Sequence, residues 1–449
     1  MDAQPHAAVF TQGSTLRHVL AMTGAASVGL MALFVVDLLS LIYVSRLGDP
    51  ALTAAVGFAT QVLFISVSVA IGLAIAIGAL VSRAVGAGDR ARARRLASSG
   101  LVHVVLVSGA AGAAGLFARN DLLRLLGAQG EALDVASSYL LLTLPATVGL
   151  GLGMALAGVL RAVGDARRAM YVTLAGAATT AALDPLLIFH FGLGVQGAAI
   201  ATIVSRLVFV VVGLHGAALH HGLVARPRLR AALADARPLY AIAFPAVLTN
   251  LAAPVGSAYV MRAFSGFGEP AVAALAMMDR VAPVAFGPLF ALSGAVGPIL
   301  GQNFGARRHD RLRRVLSDSL ILNALYVVLV WLALTQATGL VVALFSAHGE
   351  TADLLRFFVL ACGPLWFFLG GVFVANATFN NLGFPLFSTF FNWGRATLGV
   401  IPFVAFGAAR FGPRGGYVGL IAGAALFGCL AVGAAFWALS RLAREDARG

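Results

Sequence analysis

The chain has 449 residues, of which 60% are hydrophobic and 11% charged, against about 25% charged in an ordinary soluble domain. A soluble body of this length cannot enclose so much apolar surface, which excludes a cytosolic enzyme, a secreted domain and a disordered chain. All of the basic residues behind the net charge of +13 are arginines. That excludes lysine Schiff-base chemistry, and the placement of most of them in short loops between apolar runs speaks for a membrane protein and against nucleic acid as a partner.

Apolar runs bounded by Arg, Gly and Pro predict an all-α integral membrane protein of twelve transmembrane helices. The first six lie near 18–46, 51–82, 96–118, 133–161, 168–190 and 195–219. The second six lie near 239–264, 271–304, 315–345, 352–380, 385–409 and 416–440. The first run lacks the short apolar core and cleavage site of a signal peptide, so it is expected to stay as a span. If the N-terminus is cytoplasmic, the inside segments hold 21 arginines, Arg448 at the C-terminus among them, and the outside loops hold 7. This bias places both termini inside. Cys362 and Cys429 lie within spans and give neither a disulfide framework nor a metal spacing.

The two halves repeat. Gly86-Ala87 followed by Arg92, Arg94 and Arg95 recurs as Gly305-Ala306 followed by Arg311, Arg313 and Arg314, 219 residues later. Pro145 and Gly164 recur as Pro364 and Gly383 in the same register. An even number of crossings per half makes these parallel repeats, which form two bundles around a central cavity. The expected organisation is an N-terminal six-helix lobe over 1–222, a cytoplasmic linker over 223–238 and a C-terminal six-helix lobe over 239–449.

Charges inside the membrane are costly and mark function or pairing. Asp37 lies about 15 Å, and Asp184 about 10 Å, below the outer end of its span, and Thr202 reaches a similar depth on the sixth. Pro185 follows Asp184, interrupts the helix bonding and kinks the fifth span beside Thr179 and Thr180. Carboxylates, hydroxyls and a freed carbonyl at one level are oxygen ligands for H+ or Na+. Asp37, Asp184, Thr180 and Thr202 are therefore the candidate ion-coupling residues. The C-terminal half carries no matching acids. Asp279, Arg280, Arg206 and Arg395 form a possible charge network, with structural pairing or snorkelling as the default for each. His103 and His215 sit in spans, where packing is the commoner role. Phe286, Phe290, Trp366, Phe367, Phe368, Met277 and Met278 could line a greasy wall for organic cations.

Several segments resemble the multidrug and toxic compound extrusion (MATE) transporters. They include Val36-Asp37 through Leu47-Gly48, Val85-Gly86-Ala87-Gly88-Asp89, Leu160-Arg161-Ala162-Val163-Gly164-Asp165, Leu183-Asp184-Pro185-Leu186 and Gly301-Gln302-Asn303-Phe304-Gly305-Ala306. The resemblance covers nearly the whole chain. It implies two pseudo-symmetric six-helix lobes in a V and export of small organic cations or lipophilic compounds by exchange with H+ or Na+. No cofactor and no enzymatic activity are implied, and the expected setting is a monomer among the lipids of a bacterial-type inner membrane. Asp37, Asp184 and Thr202 match the family's N-lobe cation site. Thr180 stands where that pattern usually has Asn, Ala253 where the Na+-coupled, NorM-like branch has Glu, and Phe367-Phe368-Leu369 where it has Asp. These departures favour H+ and the DinF-like (DNA-damage-inducible) branch. The first span lacks the usual proline, leaving Gly24 and Gly29 to supply any bend. The rival reading is a lipid-linked oligosaccharide flippase of the same superfamily; an intramembrane enzyme is disfavoured because no zinc motif, nucleophile elbow or Ser/Lys pair is present.

Overall fold

A computed structural model describes residues 8–226 and 228–446, so Arg448 lies outside the described residues. Every regular element among them is helical. The first half contains α1 (Thr15–Ser45), α2 (Pro50–Gly86), α3 (Arg90–Leu125), α4 (Gly130–Thr143), α5 (Thr147–Ala162), α6 (Ala166–Pro185) and α7 (Gly194–Leu214). The second contains α8 (Leu229–Ser265), α9 (Glu269–Gly305), α10 (His309–Gln336), α11 (Thr338–Leu344), α12 (Gly349–Leu382), α13 (Pro385–Gly394) and α14 (Ile401–Asp446). Short π segments extend α6 (Leu186–His190), α7 (His215–His220) and α13 (Arg395–Gly399).

The internal repeat is written into the helix starts. Pro50, Arg90, Gly130 and Ala166 open α2, α3, α4 and α6; Glu269, His309, Gly349 and Pro385 open their counterparts at one constant offset. Left-handed backbone recurs in the same register, at Gly88 and Arg307 and again at Gly127 and Ser346. In each of these pairs the first half uses glycine, which adopts that conformation freely, and the second half holds a residue with a Cβ there at a cost of about 1 kcal/mol. Capping differs too. Asp49, Asp89 and Asp165 accept hydrogen bonds from backbone N–H groups at the starts of α2, α3 and α6, whereas the matching positions before α9, α10 and α13 make no side-chain cap.

Among the described residues ten helices are long and apolar enough to cross a membrane, and α4 and α5, bent by 51° at Leu144–Ala146, pass as an eleventh span. The continuous helical stretch Pro385–Asp446 has 62 residues. Run straight, it would reach about 93 Å, three times a bilayer's hydrocarbon thickness. It reverses instead at Phe411–Gly412, where φ and ψ leave the helical region. The packing proves the reversal: a Cβ on Gly415 would overlap the carbonyl of Gly407, one on Gly419 that of Phe403, and one on Gly423 that of Gly399. Each pair is equidistant from residue 411, the signature of an antiparallel hairpin. Splitting the stretch there gives twelve crossings.

The described residues form two compact units: one holds 8–9 with Gly24–Val247, the other Phe10–Thr23 with 248–446. The first turns of α1 thus belong to the second unit, and the first turns of α8 to the first. Similar polar contacts fix both ends. Phe10 N–H donates to Gln302 (3.0 Å), the Phe10 carbonyl accepts from Asn303 and Arg311 (3.1 and 3.0 Å), and the Thr15 hydroxyl donates to Asp318. On α8, Asp235 accepts from Ser99 (2.8 Å) and pairs with Arg95 (3.2 Å), while His103 bonds both the Ala232 carbonyl and the Tyr240 hydroxyl at 3.0 Å. Ser99 and Asp318 occupy equivalent repeat positions, so the carboxylate has changed sides between the halves. His103 is thereby held in packing, with both ring nitrogens engaged.

Asp165 anchors the end of the first unit. Its oxygens accept from the Arg168 backbone (3.0 Å), the Arg168 guanidinium (2.7 Å) and His221 Nε2 (2.8 Å). Asp165, His220 and His221 bring ligand atoms within 4.8 Å of one another; the Arg168 guanidinium on the carboxylate opposes a metal cation there. Burial works to raise the Asp165 carboxyl, but the bonds from His221 and Arg168 outweigh it and hold the group well below the usual carboxylate range. A depressed folded value stabilises above the unfolded value, about 3.9, and the contribution is lost as pH falls through the folded value. Asp165→Asn is therefore expected to cost about 2 kcal/mol at pH 7, with the deficit shrinking below about pH 3, as read from thermal unfolding at both pH values.

Candidate functional site

Two helices of the first unit bring the intramembrane acids together. On α1, Asp37 and Ser40 are three residues apart and share a face. On α6, Asp184 precedes Pro185, and the helix passes into π winding over Leu186–His190. Proline withdraws an N–H from the ladder and crowds the carbonyl one turn back; the wider turn accommodates that loss. Gly29 lets the two helices approach, since a Cβ there would overlap the Thr173 side chain.

Asp184 is only 1% exposed. The Ser40 hydroxyl donates to its Oδ2, while Oδ1 is buried with no hydrogen-bond partner among the described residues. Asp37, by contrast, is exposed, and it lies within electrostatic range of Asp184 and Arg206. Arg206 on α7 is 8% exposed and donates from Nη1 to the Thr143 carbonyl at 2.8 Å. Gly149 makes room for it, because a Cβ there would sit 3.3 Å from that of Arg206. Tyr139 on α4 lies beside Thr202, whose own hydroxyl donates to the Ala198 carbonyl at 3.0 Å. Two carboxylates and one guanidinium leave a single excess negative charge when both acids are ionised. One monovalent cation neutralises it, and inside a membrane that neutralisation is worth far more than in water.

Asp37, Asp184, Thr202 and Arg206 thus share one neighbourhood, with Pro185 at the helix junction. Thr180 is half-buried and makes no side-chain hydrogen bond among the described residues, while Thr179 donates to the Ala175 carbonyl at 2.8 Å. Asp279 and Arg280 sit exposed on α9 in the second unit, and Arg395 heads the π segment after α13. Among the described residues no ion pair joins Asp279, Arg280, Arg206 and Arg395; the pairs formed are all near helix ends or loops, such as Arg95–Asp235 and Arg168–Asp165. In the second unit Phe286 is fully buried and stacks on Trp366 at 4.9 Å, and Met278 is buried as well, so these two are core; Phe290 and Phe367, each 39% exposed, have open faces.

Ser40, Tyr139 and Gly149 were not singled out from sequence. For Ser40 the signal existed, in its spacing from Asp37. Tyr139 and Gly149 gave none, since their place beside Thr202 and Arg206 depends on how α4, α5 and α7 pack.

Comparison with known proteins gives a consistent result. Residues 25–186 and 245–405 each match the family described as MatE, once per repeat. A protein named FAD transporter from Shewanella oneidensis is 30% identical over 409 residues, which cover 89% of this chain and 89% of that one. A probable multidrug resistance protein NorM from Thermotoga maritima is 26% identical over 381 residues, covering 82% and 81% of the two chains. Among solved structures, a MATE protein in a straight conformation superposes with a TM-score of 0.92 at 21% identity, covering 99% of this chain and 100% of that one.

Proposed function

Because the chain belongs to the MatE family, whose members are transporters and not enzymes, we propose that it is a secondary antiporter exporting organic compounds in exchange for protons, with Asp37 and Asp184 as the exchanging groups. The observation that carries this reading is the buried, unpartnered Oδ1 of Asp184 in a site with a second carboxylate in range. A carboxylate oxygen left without a donor in an apolar interior is costly, and binding a proton removes that cost. The exposed Asp37 is the entry point, and Asp184 is the deep acceptor.

Several features favour H+ over Na+. A proton needs one oxygen, whereas a metal cation needs a shell of them. Ser40 already occupies one oxygen of Asp184, Thr180 replaces the amide of the family pattern, and Arg206 sets a fixed positive charge near Asp37. Coupling is confined to the first unit, since Ala253 and Phe367-Phe368-Leu369 leave the second without the corresponding acids. The ion can drive transport only by the difference in its affinity between two states of the carrier. The multidrug relatives support cationic or lipophilic solutes as cargo. The FAD transporter, similar along most of the chain, favours a second reading in which the cargo is a flavin dinucleotide. In either case the protein works as a monomer in the inner membrane with both termini in the cytoplasm.

Reconstitution into liposomes tests the reading, with ethidium and FAD as cargo and gradients of pH and Na+ imposed separately. The expected result is transport driven by the pH gradient alone. A Na+ gradient at equal pH that drives the same flux would refute proton coupling.

A further inference from the structure

The second unit buries a charge of the opposite sign. Arg395 begins the π segment ten residues after the start of α13, about 15 Å along the helix and therefore near mid-membrane. Leu386, Phe390 and Leu398, each at least 66% exposed, mark the outer face of that helix. Arg395 stands on the opposite face, three residues from Asn392 and seven from Ser388. Those two are buried and tied to α12: Asn392 donates to Asn376 (2.9 Å) and Ser388 to Asn380 (3.2 Å). The arginine thus ends a polar seam inside the unit and does not point outward with the exposed stripe.

Its chemistry is unspent. Among the described residues Arg395 makes no side-chain hydrogen bond or ion pair, its Nε is buried without a partner, and no carboxylate lies near enough to act on it. Arg206, the buried arginine of the first unit, has both the Thr143 carbonyl and Asp37. The repeat sharpens the contrast. α8 and α13 correspond to α1 and α6, the helices that bear the acids. Gly256 holds the position equivalent to Asp37 and packs against Ala396, beside Arg395, with its Cβ direction 3.4 Å from Ala396 Cα. Arg395 itself stands where the first unit has Gly176. The same helix pair therefore carries carboxylates in one unit and a guanidinium in the other.

We propose that Arg395 anchors an oxyanion site in the second unit that receives a phosphate group of the transported solute. A guanidinium with five free donors matches the three oxygens of a terminal phosphate, and it does so in a planar, bidentate geometry that an ammonium lacks. An unpartnered cation at mid-membrane is costly, and an anionic ligand offsets that cost only while it is bound. The site would then select phosphorylated solutes over their neutral parents. This inference rests on the export reading above, yet equilibrium binding tests it without any ion gradient.

The test uses the full-length protein in neutral phosphatidylcholine nanodiscs, titrated with riboflavin 5′-phosphate and with riboflavin, which differ by one phosphate and report through flavin fluorescence. The expected result is a preference of about tenfold or more for the phosphate in the wild-type protein. Arg395→Met is expected to remove that preference with riboflavin affinity unchanged, and Arg395→Lys to retain part of it. Both variants are first checked for wild-type elution and melting temperature; Lys keeps the charge and serves if Met fails to fold. Equal affinity for the two flavins in the wild type, or an undiminished preference in the variants, would overturn the proposal. Nanodiscs containing phosphatidylglycerol separate the two sources of phosphate: if that lipid displaces the flavin phosphate in an Arg395-dependent way, the site belongs to lipid headgroups and the solute assignment falls. Loss of proton-driven export in Asp37 or Asp184 variants with this binding preference intact would leave the two conclusions standing separately.

Discussion

Asp184→Asn is expected to abolish uphill export while leaving the protein folded. Asparagine keeps the shape of the side chain and an oxygen to accept from the Ser40 hydroxyl, but it has no proton to gain or lose. One proton exchanged for one singly charged cation sustains about a tenfold concentration ratio per unit of pH gradient, since one pH unit is about 1.4 kcal/mol. In the variant that ratio should fall to one, with any remaining flux passive. Removing a carboxylate from a position only 1% exposed also removes a desolvation cost, so the melting temperature should hold or rise. Asp37→Asn should lose uphill export as well, with less effect on melting because that side chain is exposed. Dye accumulation in everted vesicles, beside the melting temperature of the purified protein, measures both. Uphill export by both variants at the wild-type level would remove the carboxylates from the mechanism.

The largest expected effect on stability lies elsewhere, in the hairpin that reverses at Phe411–Gly412. A Cβ on Gly423 would overlap backbone atoms of Gly399, and Gly407 and Gly415 clash reciprocally. Backbone cannot swing aside as a flexible side chain can, so the two helices would have to separate along their length. Gly423→Val should cost about 3 kcal/mol or more, enough to remove most correctly folded protein from the membrane. Gly433, further along α14, has nothing within 4 Å of its Cβ direction, and Gly433→Ala should be neutral or slightly stabilising. Fluorescence-detected gel filtration with a heating series separates these outcomes. A wild-type profile for Gly423→Val would mean that the close approach of the two helices is not required.

Most of the architecture is legible in the sequence because membrane helices are long and their ends are marked. Arg, Gly and Pro punctuation located the crossings, and the register linking Pro145 to Pro364 also governs the helix starts from Pro50 and Glu269 onward. Apart from the interruption at Pro185, the breaks inside spans were not legible. The predicted span at 315–345 divides into α10 and α11, although the connecting residues Thr335–Thr338 carry no proline or other strong breaker. Equivalent prolines also act differently: the chain bends by 51° around Pro145, whereas α12 runs on through Pro364. Apart from the one that follows Pro185, the π segments are set by local packing and leave no periodic trace in composition.

The site divides in the same way. Asp37, Asp184 and Arg206 stand out because charge is rare in an apolar run, whereas hydroxyl groups are common there and usually bond back to their own helix, as Thr202 does to Ala198. Ser40 departs from that habit by crossing to Asp184; its spacing from Asp37 marks the shared face, and the packing of α1 on α6 supplies the partner.

Direct detection of protons bears most closely on the proposed exchange at Asp37 and Asp184. Purified protein in a weakly buffered solution carrying a pH indicator is mixed with ethidium over a range of starting pH, and the protons released are counted. Release on ligand addition to the wild-type protein, and none from the Asp37→Asn/Asp184→Asn double variant at matched ligand occupancy, is the predicted result. Equal release from both proteins, or none from the wild type at any pH where ligand binds, would contradict it.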